Sequence, residues 1–188
     1  MDVGTVLPLV LGISVLSLVV AAFLAKHVLA ADTGNAEMRQ ISDAIREGAE
    51  AFLKRQYRTI AALSVVAALL IFGFYFANRE VKNIAEMGSG VAWKITLSFV
   101  TGALCSAIAG YIGMYVSIRA NIRTAAAAMT SLNKALQIAL RGGAVSGLSV
   151  VSMSLLGVGG LFYLFGGMQD YRHVPLQIVG FGLGASFV

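Results

Sequence analysis

Between Ile95 and Ile118 the chain runs ITLSFVTGALCSAIAGYIGMYVSI, without one charged side chain. A run of roughly 24 residues makes about 36 Å of helix, more than the ~30 Å of a bilayer's hydrocarbon core. Inside lipid every backbone N–H and C=O must be satisfied within the segment, which leaves the helix as the way to span. This run also has small residues at four-residue steps, Gly102, Ser106 and Gly110, with Gly113 close behind. Between helices in lipid there is no hydrophobic drive, so close backbone approach over small residues does the packing. The run therefore reads as a membrane helix packed among others. Directly after it come Arg119 and Arg123, the mark of an exit toward the cytoplasm.

The composition agrees with this reading. Of 188 residues, 58% are hydrophobic and 12% charged, with a mean hydropathy of +0.82. Soluble domains average about half apolar and about a quarter charged. The net charge of +5 reflects bases placed in the connections between apolar runs. It reads as membrane orientation in preference to nucleic-acid binding, and no nucleic-acid partner is expected. A single cysteine, Cys105, leaves no disulfide framework and no CxxC motif.

Five crossings are expected. The first covers about 3–29, with Pro8 in its first turns and Lys26 and His27 at its exit. It is too long for the apolar core of a signal peptide and has no basic segment ahead of it, so it reads as a retained membrane helix. A cytoplasmic amphipathic helix follows over about 34–57. Met38, Ile41, Ile45, Ala49, Phe52 and Leu53 fall at three- and four-residue steps, Asp32, Thr33 or Asn35 is placed to cap it, and Glu50 stands four residues before Lys54.

The second crossing, about 59–77, continues that helix or follows it. A polar connection holds Arg79, Glu80, Lys82 and Glu86, broken at Gly88-Ser89-Gly90, with Trp93 at interface depth. The third crossing is about 95–118. An alanine-rich stretch, Thr124 to Leu140, reads as a helical hairpin or a surface helix. Gly142 and Gly143 then open a fourth crossing, about 144–165, in which Gly143/Gly147 and Gly157/Gly160 are close-packing positions. After an outward turn over Gly166 to His173, Pro175 suits the first turn of a fifth run, about 174–188. Fifteen residues reach about 22 Å, short of a full span. The run is either a short terminal or re-entrant helix or the front of a longer protein.

Ten bases, Lys26, Arg39, Arg46, Lys54, Arg55, Arg58, Arg119, Arg123, Lys134 and Arg141, lie in the connections after the first and third crossings. Four, Arg79, Lys82, Lys94 and Arg172, lie in the others. This puts the N-terminus outside and the long connections in the cytoplasm.

Chemistry is sparse. The crossings carry no ionisable residue at mid-depth, where ion pathways and proton relays would place one. No paired carboxylates, His/Cys cluster or P-loop appear. His27 and His173 sit at membrane edges. The acids of the first connection alternate with bases, as a salt-bridged face does. Gly180-x-Gly182-x-Gly184 follows no strand and reads as helix packing, not a dinucleotide loop. No catalytic, substrate-binding or metal residue is assigned.

Three segments carry a resemblance. Ile45-x-Glu47-Gly48-Ala49-x-Ala51-Phe52-Leu53-x-Arg55-Gln56-Tyr57 resembles the first cytoplasmic loop of the membrane-bound, ion-pumping inorganic pyrophosphatases. Phe99-x-x-Gly102-Ala103-x-x-Ser106-x-x-Ala109-Gly110-x-Ile112-Gly113-Met114, with Ala120-Asn121-x-Arg123-Thr124-Ala125, is similar to that family's third transmembrane helix. Gly180 to Val188 is similar to the start of its fifth. The segments occur in the family's order and cover most of the chain.

The resemblance implies an all-α, multi-pass membrane bundle, of whose roughly sixteen helices about five are present here, each satisfying its own backbone. It implies a homodimeric pump in the cell (inner) membrane that hydrolyses pyrophosphate as its Mg²⁺ complex and moves protons, in some members sodium ions, outward. The family's substrate and metal ligands, ion gate and any K⁺ dependence lie in later helices, so residues 1–188 would be the non-catalytic N-terminal part. The small-residue face of the third helix is then the expected contact with the inner, charge-bearing helices. The rival reading from the residues is a small, complete membrane scaffold or assembly subunit. A secondary transporter would need discontinuous helices and an intramembrane polar site, of which the glycine-rich fourth crossing is the one hint.

Overall fold

A computed structural model describes residues 3–80 and 90–188. The polar residues Lys82, Glu86, Gly88 and Ser89 lie outside the described residues. Helix accounts for most of the rest: α1 (Val3–Leu29), α2 (Ala36–Ala77), α3 (Val91–Ala128), α4 (Leu132–Leu164), α5 (Val174–Gln177) and α6 (Val179–Phe187). Among the described residues there is no strand. Among the described residues four helices are long and apolar enough to cross a membrane, and the fold is a multi-pass membrane helical bundle.

The amphipathic segment and the second apolar run form one uninterrupted helix, α2, of 42 residues. No Pro or Gly lies near Arg58 and Thr59 to break it. Of the candidate caps, Asn35 takes the role: its side-chain oxygen accepts from the Met38 N–H at 2.9 Å. Asp32 instead accepts from the Gly34 N–H at 3.1 Å, forming the turn before it.

The alanine-rich stretch is a helical hairpin and not a surface helix. α3 ends at Ala128, three residues turn, and α4 begins at Leu132. The Ser131 N–H donates to the Ala127 carbonyl at 2.9 Å, and the Ser131 carbonyl starts the α4 ladder by accepting from Ala135 at 3.1 Å.

Gly142 and Gly143 do not open a helix, because α4 runs through them. Gly142 is held by packing: a β-carbon there would sit 3.1 Å from the Ala120 β-carbon. Gly143, Gly147 and Gly160 were expected as close-packing positions, but each has open space where a β-carbon would go. Only Gly157 of that set is tight, against the Phe181 ring and the Cys105 sulfur.

α4 stops in a Schellman motif. The Gly167 N–H reaches the Phe162 carbonyl at 2.8 Å and the Gly166 N–H the Tyr163 carbonyl at 3.1 Å. Gly166 holds the required positive φ of 80°. The fifth run is discontinuous. Pro175 sits in the first turn of α5, and the chain breaks at Ile178 before α6. The Phe181 N–H bonds the Ile178 carbonyl, and the buried Ser98 hydroxyl donates to the Gln177 carbonyl at 3.2 Å. An intramembrane break needs such a donor to satisfy freed backbone.

Residues group into two compact units, each drawing on all four long helices. In the unit holding residues 58–107 and 153–188, α6 meets α3 backbone to backbone. A β-carbon at Gly180 would overlap the Ile95 carbonyl, and one at Gly184 the Phe99 carbonyl. One at Gly102 would overlap the Phe181 carbonyl. Aromatic edges flank this seam: Phe99 with Phe187 at 5.7 Å between centroids, and Trp93 with Phe165 at 5.6 Å. The other unit, residues 15–57 and 108–152, has a core of Ala21 and Val28 (α1), Val116 and Ala120 (α3) and Val145 (α4).

Candidate functional site

The polar groups of the chain concentrate in the unit built on residues 15–57 and 108–152, where α1 ends and α2 passes the basic end of α3. Arg119 and Arg123 are one helical turn apart, so both point from the same side of α3. Arg123 donates twice to one oxygen, the Leu29 carbonyl, from Nε at 3.2 Å and Nη2 at 2.8 Å. Its Nη1 donates to the Arg119 carbonyl at 2.6 Å. Leu29 is the last residue of α1. A terminal carbonyl has no intrahelical partner and carries the negative end of the helix dipole, so a guanidinium there satisfies both.

Arg119 stacks on Tyr115, with the guanidinium carbon 3.6 Å from the ring centroid. Its Nη2 donates to Glu50 Oε1 at 3.3 Å and its Nη1 to the Tyr115 carbonyl at 3.2 Å. Glu50 also meets Arg46 at 3.8 Å, and Arg46 meets Asp43 at 3.5 Å. Sequence spacing pairs Glu50 with Lys54. The structure pairs it with Arg119, because a guanidinium held flat on an aromatic ring is already oriented for the carboxylate and loses less entropy than a free lysine. The ion pair with Glu50 ties α2 to α3, the stack on Tyr115 orients Arg119 for it, and Arg123 ties α1 to α3.

This junction joins three helices. The hydrogen bonds of both guanidiniums go to protein oxygens. Arg119 and Arg123 carry out a task that their sequence position does not reveal. Their four-residue spacing was the available signal, but the partners Leu29 and Glu50 come from distant segments.

His27 Nδ1 lies 3.2 Å from the Phe23 carbonyl. At the other edge His173 meets the Asp170 carboxylate, Nδ1 to Oδ1 at 2.8 Å, and the His173 N–H also reaches Oδ1 at 3.1 Å. That backbone hydrogen bond, ahead of the side-chain one, holds the Asp170 carboxyl below the usual carboxylate range. Among the described residues no three of His, Cys, Asp or Glu gather closely enough to hold a metal ion. The acids Asp43 and Glu50 are already tied to Arg46 and Arg119, an arrangement that does not fit Mg²⁺ at those two carboxylates. Gly180, Gly182 and Gly184 lie on helix α6, which is incompatible with a phosphate-cradling loop. A cleft of about 440 Å³ between Val6, Leu7 and Val10 of α1 and Leu155, Val158 and Phe162 of α4 is lined by apolar residues. It offers a phosphate no donor.

The small-residue face of α3 is partly filled from within this chain: Gly102 and Gly113 are buried, Ser106 is half-buried and Gly110 is exposed. Gly102 takes α6, Gly110 lies against the Tyr57 hydroxyl at 3.1 Å from an added β-carbon, and Gly113 against the Ser146 side chain.

The sequence pattern of the inorganic H+ pyrophosphatase family matches residues 15–188. The chain is 48% identical over 190 residues to a K(+)-insensitive pyrophosphate-energized proton pump of Caldanaerobacter subterraneus subsp. tengcongensis, covering 98% of this chain and 26% of that protein. It is 50% identical over 181 residues to the K(+)-insensitive pyrophosphate-energized proton pump 2 of Moorella thermoacetica, covering 96% and 24%. To the pyrophosphate-energized membrane proton pump 3 of Arabidopsis thaliana it is 44% identical over 187 residues, covering 94% and 23%. The chain spans about a quarter of the length of the curated relatives it matches.

Proposed function

Because this chain belongs to the inorganic H+ pyrophosphatase family, we propose that it is the N-terminal part of a pump that couples hydrolysis of pyrophosphate to outward proton movement. The observation that carries this reading is the family match over residues 15–188, joined to four helices of membrane-spanning length. The two bacterial relatives are K(+)-insensitive pumps by name, which favours pumping without a K⁺ requirement.

Within that pump this chain is scaffold. α1 to α4 form helices around which the rest packs, and the Arg119–Glu50 and Arg123–Leu29 contacts fix their ends. The substrate is pyrophosphate as its Mg²⁺ complex. Since this chain's described residues form no Mg²⁺ site, hydrolysis and metal binding are assigned to the remainder of the protein, and no step of the reaction is routed through residues 1–188. The pump is a homodimer in the cell (inner) membrane, among lipids, with the N-terminus outside.

The test begins by reading the coding DNA past Val188 and expressing the complete frame in inverted membrane vesicles. Adding pyrophosphate with Mg²⁺ is expected to acidify the vesicle interior, followed by a pH-sensitive dye, with equal rates with and without K⁺. Vesicles that release phosphate but stay unacidified, or that do neither, would overturn the proposal. A K⁺-dependent rate would overturn its K⁺ clause alone.

A further inference from the structure

The polar half of α2 carries an apolar face that its crossing does not explain. Ile41, Ile45 and Phe52 are 64%, 56% and 60% exposed. Ala44, Gly48 and Ala51 lie beside them, all exposed, and a β-carbon added at Gly48 would meet nothing within 4 Å. At 100° per residue these six side chains fall within a sector of about 120°. Sequence periodicity places Met38, Ala49 and Leu53 on the same apolar side, but those three are half-buried. The face is therefore apolar throughout and covered along one edge only.

The hydrocarbon-spanning part of α2 does not account for it. α2 is continuous, so Phe52 lies about 10 Å and Ile41 about 27 Å along the axis from Thr59, where the uncharged run begins. Lys54, Arg55 and Arg58 stand between. A second copy is a poor match in size. The strip is about 16 Å long and about 10 Å wide, roughly 160 Å², against the ~800 Å² per partner that stable association buries. One helix laid across it fits that area. The matched region is 26% and 24% of the length of two relatives, so about three quarters of such a protein has yet to find its seat.

We propose that the Ile41–Phe52 face of α2 is the docking seat for a helix from the remainder of the same polypeptide, approaching closely over Ala44, Gly48 and Ala51. Small residues let backbones approach, and the larger side chains on either side grip the incoming helix. The proposal rests on the reading that this chain is part of a longer pump.

The test uses the complete protein in open membrane sheets, with every native cysteine, Cys105 included, replaced by Ser and single cysteines introduced as Ile45→Cys, Ala44→Cys or Asp43→Cys. Asp43 is exposed and lies about 140° around the helix from the middle of that face. A soluble maleimide is expected to modify the Asp43→Cys protein at least about tenfold faster than either of the others, and all three equally after unfolding in SDS. A benzophenone amino acid replacing Phe52 is expected to cross-link at monomer mass to a peptide outside residues 1–188. Equal labelling in the folded protein would overturn the proposal, and so would a cross-link at dimer mass, which would give the face to a second copy. Pyrophosphate hydrolysis is followed in the same sheets. Rapid labelling at position 45 in sheets that hydrolyse sinks the docking alone, whereas protection without hydrolysis sinks the pump reading alone.

Discussion

α2 and α3 are of similar length, 42 and 38 residues, and each combines an apolar run with a polar end, yet they are used in opposite ways. None of the described residues of α2 is buried. α3 contributes Ile95, Phe99, Ala103, Ala109, Val116 and others to the interior. The apolar window of α2 has the higher mean hydropathy of the two, and α1 likewise exceeds α3 and α4 while being less buried. In water the most apolar helix would go inside. In lipid the tails are as apolar as leucine, so hydropathy selects nothing between helices, and shape decides. α3 is buried where Gly102 and Gly113 let neighbours approach. α2 has Leu69, Leu70, Phe72 and Phe76 standing outward.

That contrast is most exposed to failure at the α3–α6 seam. Replacing Gly184 by Leu in the complete protein pushes a side chain into the Phe99 carbonyl, a backbone atom that cannot swing aside. Overpacking typically costs about 1–3 kcal/mol, and more where backbone must move. The expected outcome is a large loss of folded, monodisperse protein in detergent. Gly110→Leu should cost less, since its neighbour is the end of the Tyr57 side chain. Equal yields for the two variants would mean that the seam is not what holds α6.

A paired truncation compares the two helices directly. Ile95 is 1% exposed and Leu69 67%. Ile95→Ala is expected to lower stability by about 2–4 kcal/mol through lost contacts and the cavity left behind. Leu69→Ala should stay within about 0.5 kcal/mol. SDS-unfolding midpoints of the complete protein measure both. A large loss at Leu69 would show that this part of α2 is covered in the complete protein and would narrow the contrast to this chain alone.

At the arginine junction, Arg123→Gln removes a charged donor from the end of α1 and should cost about 1–3 kcal/mol. Arg123→Lys, which retains charge but not the forked geometry, should recover only part of it. Arg119→Gln is expected to matter less, because Glu50 is largely exposed and such pairs contribute about 0–1 kcal/mol. The same unfolding titration ranks the three. Arg119→Gln equalling Arg123→Gln would mean that the ion pair, not the helix-end contact, holds the junction.

Where the sequence was readable, the cause was local. The limits of α1 follow an apolar run, Asn35 caps because its side chain reaches the Met38 N–H within one turn, and Pro175 starts α5 because its φ suits a first turn. The continuity of α2 followed from the lack of a breaker. What stayed hidden was tertiary. Gly142 and Gly143 look like a boundary, with each glycine unfavourable in a helix by about 1 kcal/mol, yet packing against Ala120 carries α4 through them. Gly143, Gly147 and Gly160 have the same spacing as true contact glycines and face open space, since spacing defines a face but not its neighbour. The break at Ile178 depends on Ser98, a residue 79 positions away from Gln177. Family membership was legible from motifs, while the junction of Arg119 and Arg123 was not, because both read equally well as orientation signals.

The smallest expected effect lies in the turn before α5, where neither Asp170 nor His173 is buried and the question is one of pH. The His173 N–H and ring hold Asp170 in its charged form, so its carboxyl titrates below the usual range. A carboxylate with a depressed folded-state pKa stabilises the folded state above its unfolded value, about 3.9, and that contribution disappears as pH falls through the lower folded value. Asp170→Asn removes the charge but keeps an acceptor for the backbone N–H. In the complete protein the wild type should therefore melt slightly above the variant at pH 6, with the difference shrinking below about pH 4 and gone where both side chains are neutral. Because the carboxylate is exposed, solvent screens it and the shift should be small at every pH. A difference that grew on acidification would reverse the sign and show that the charged carboxylate opposes the turn. A constant difference would assign the effect to hydrogen-bond geometry alone.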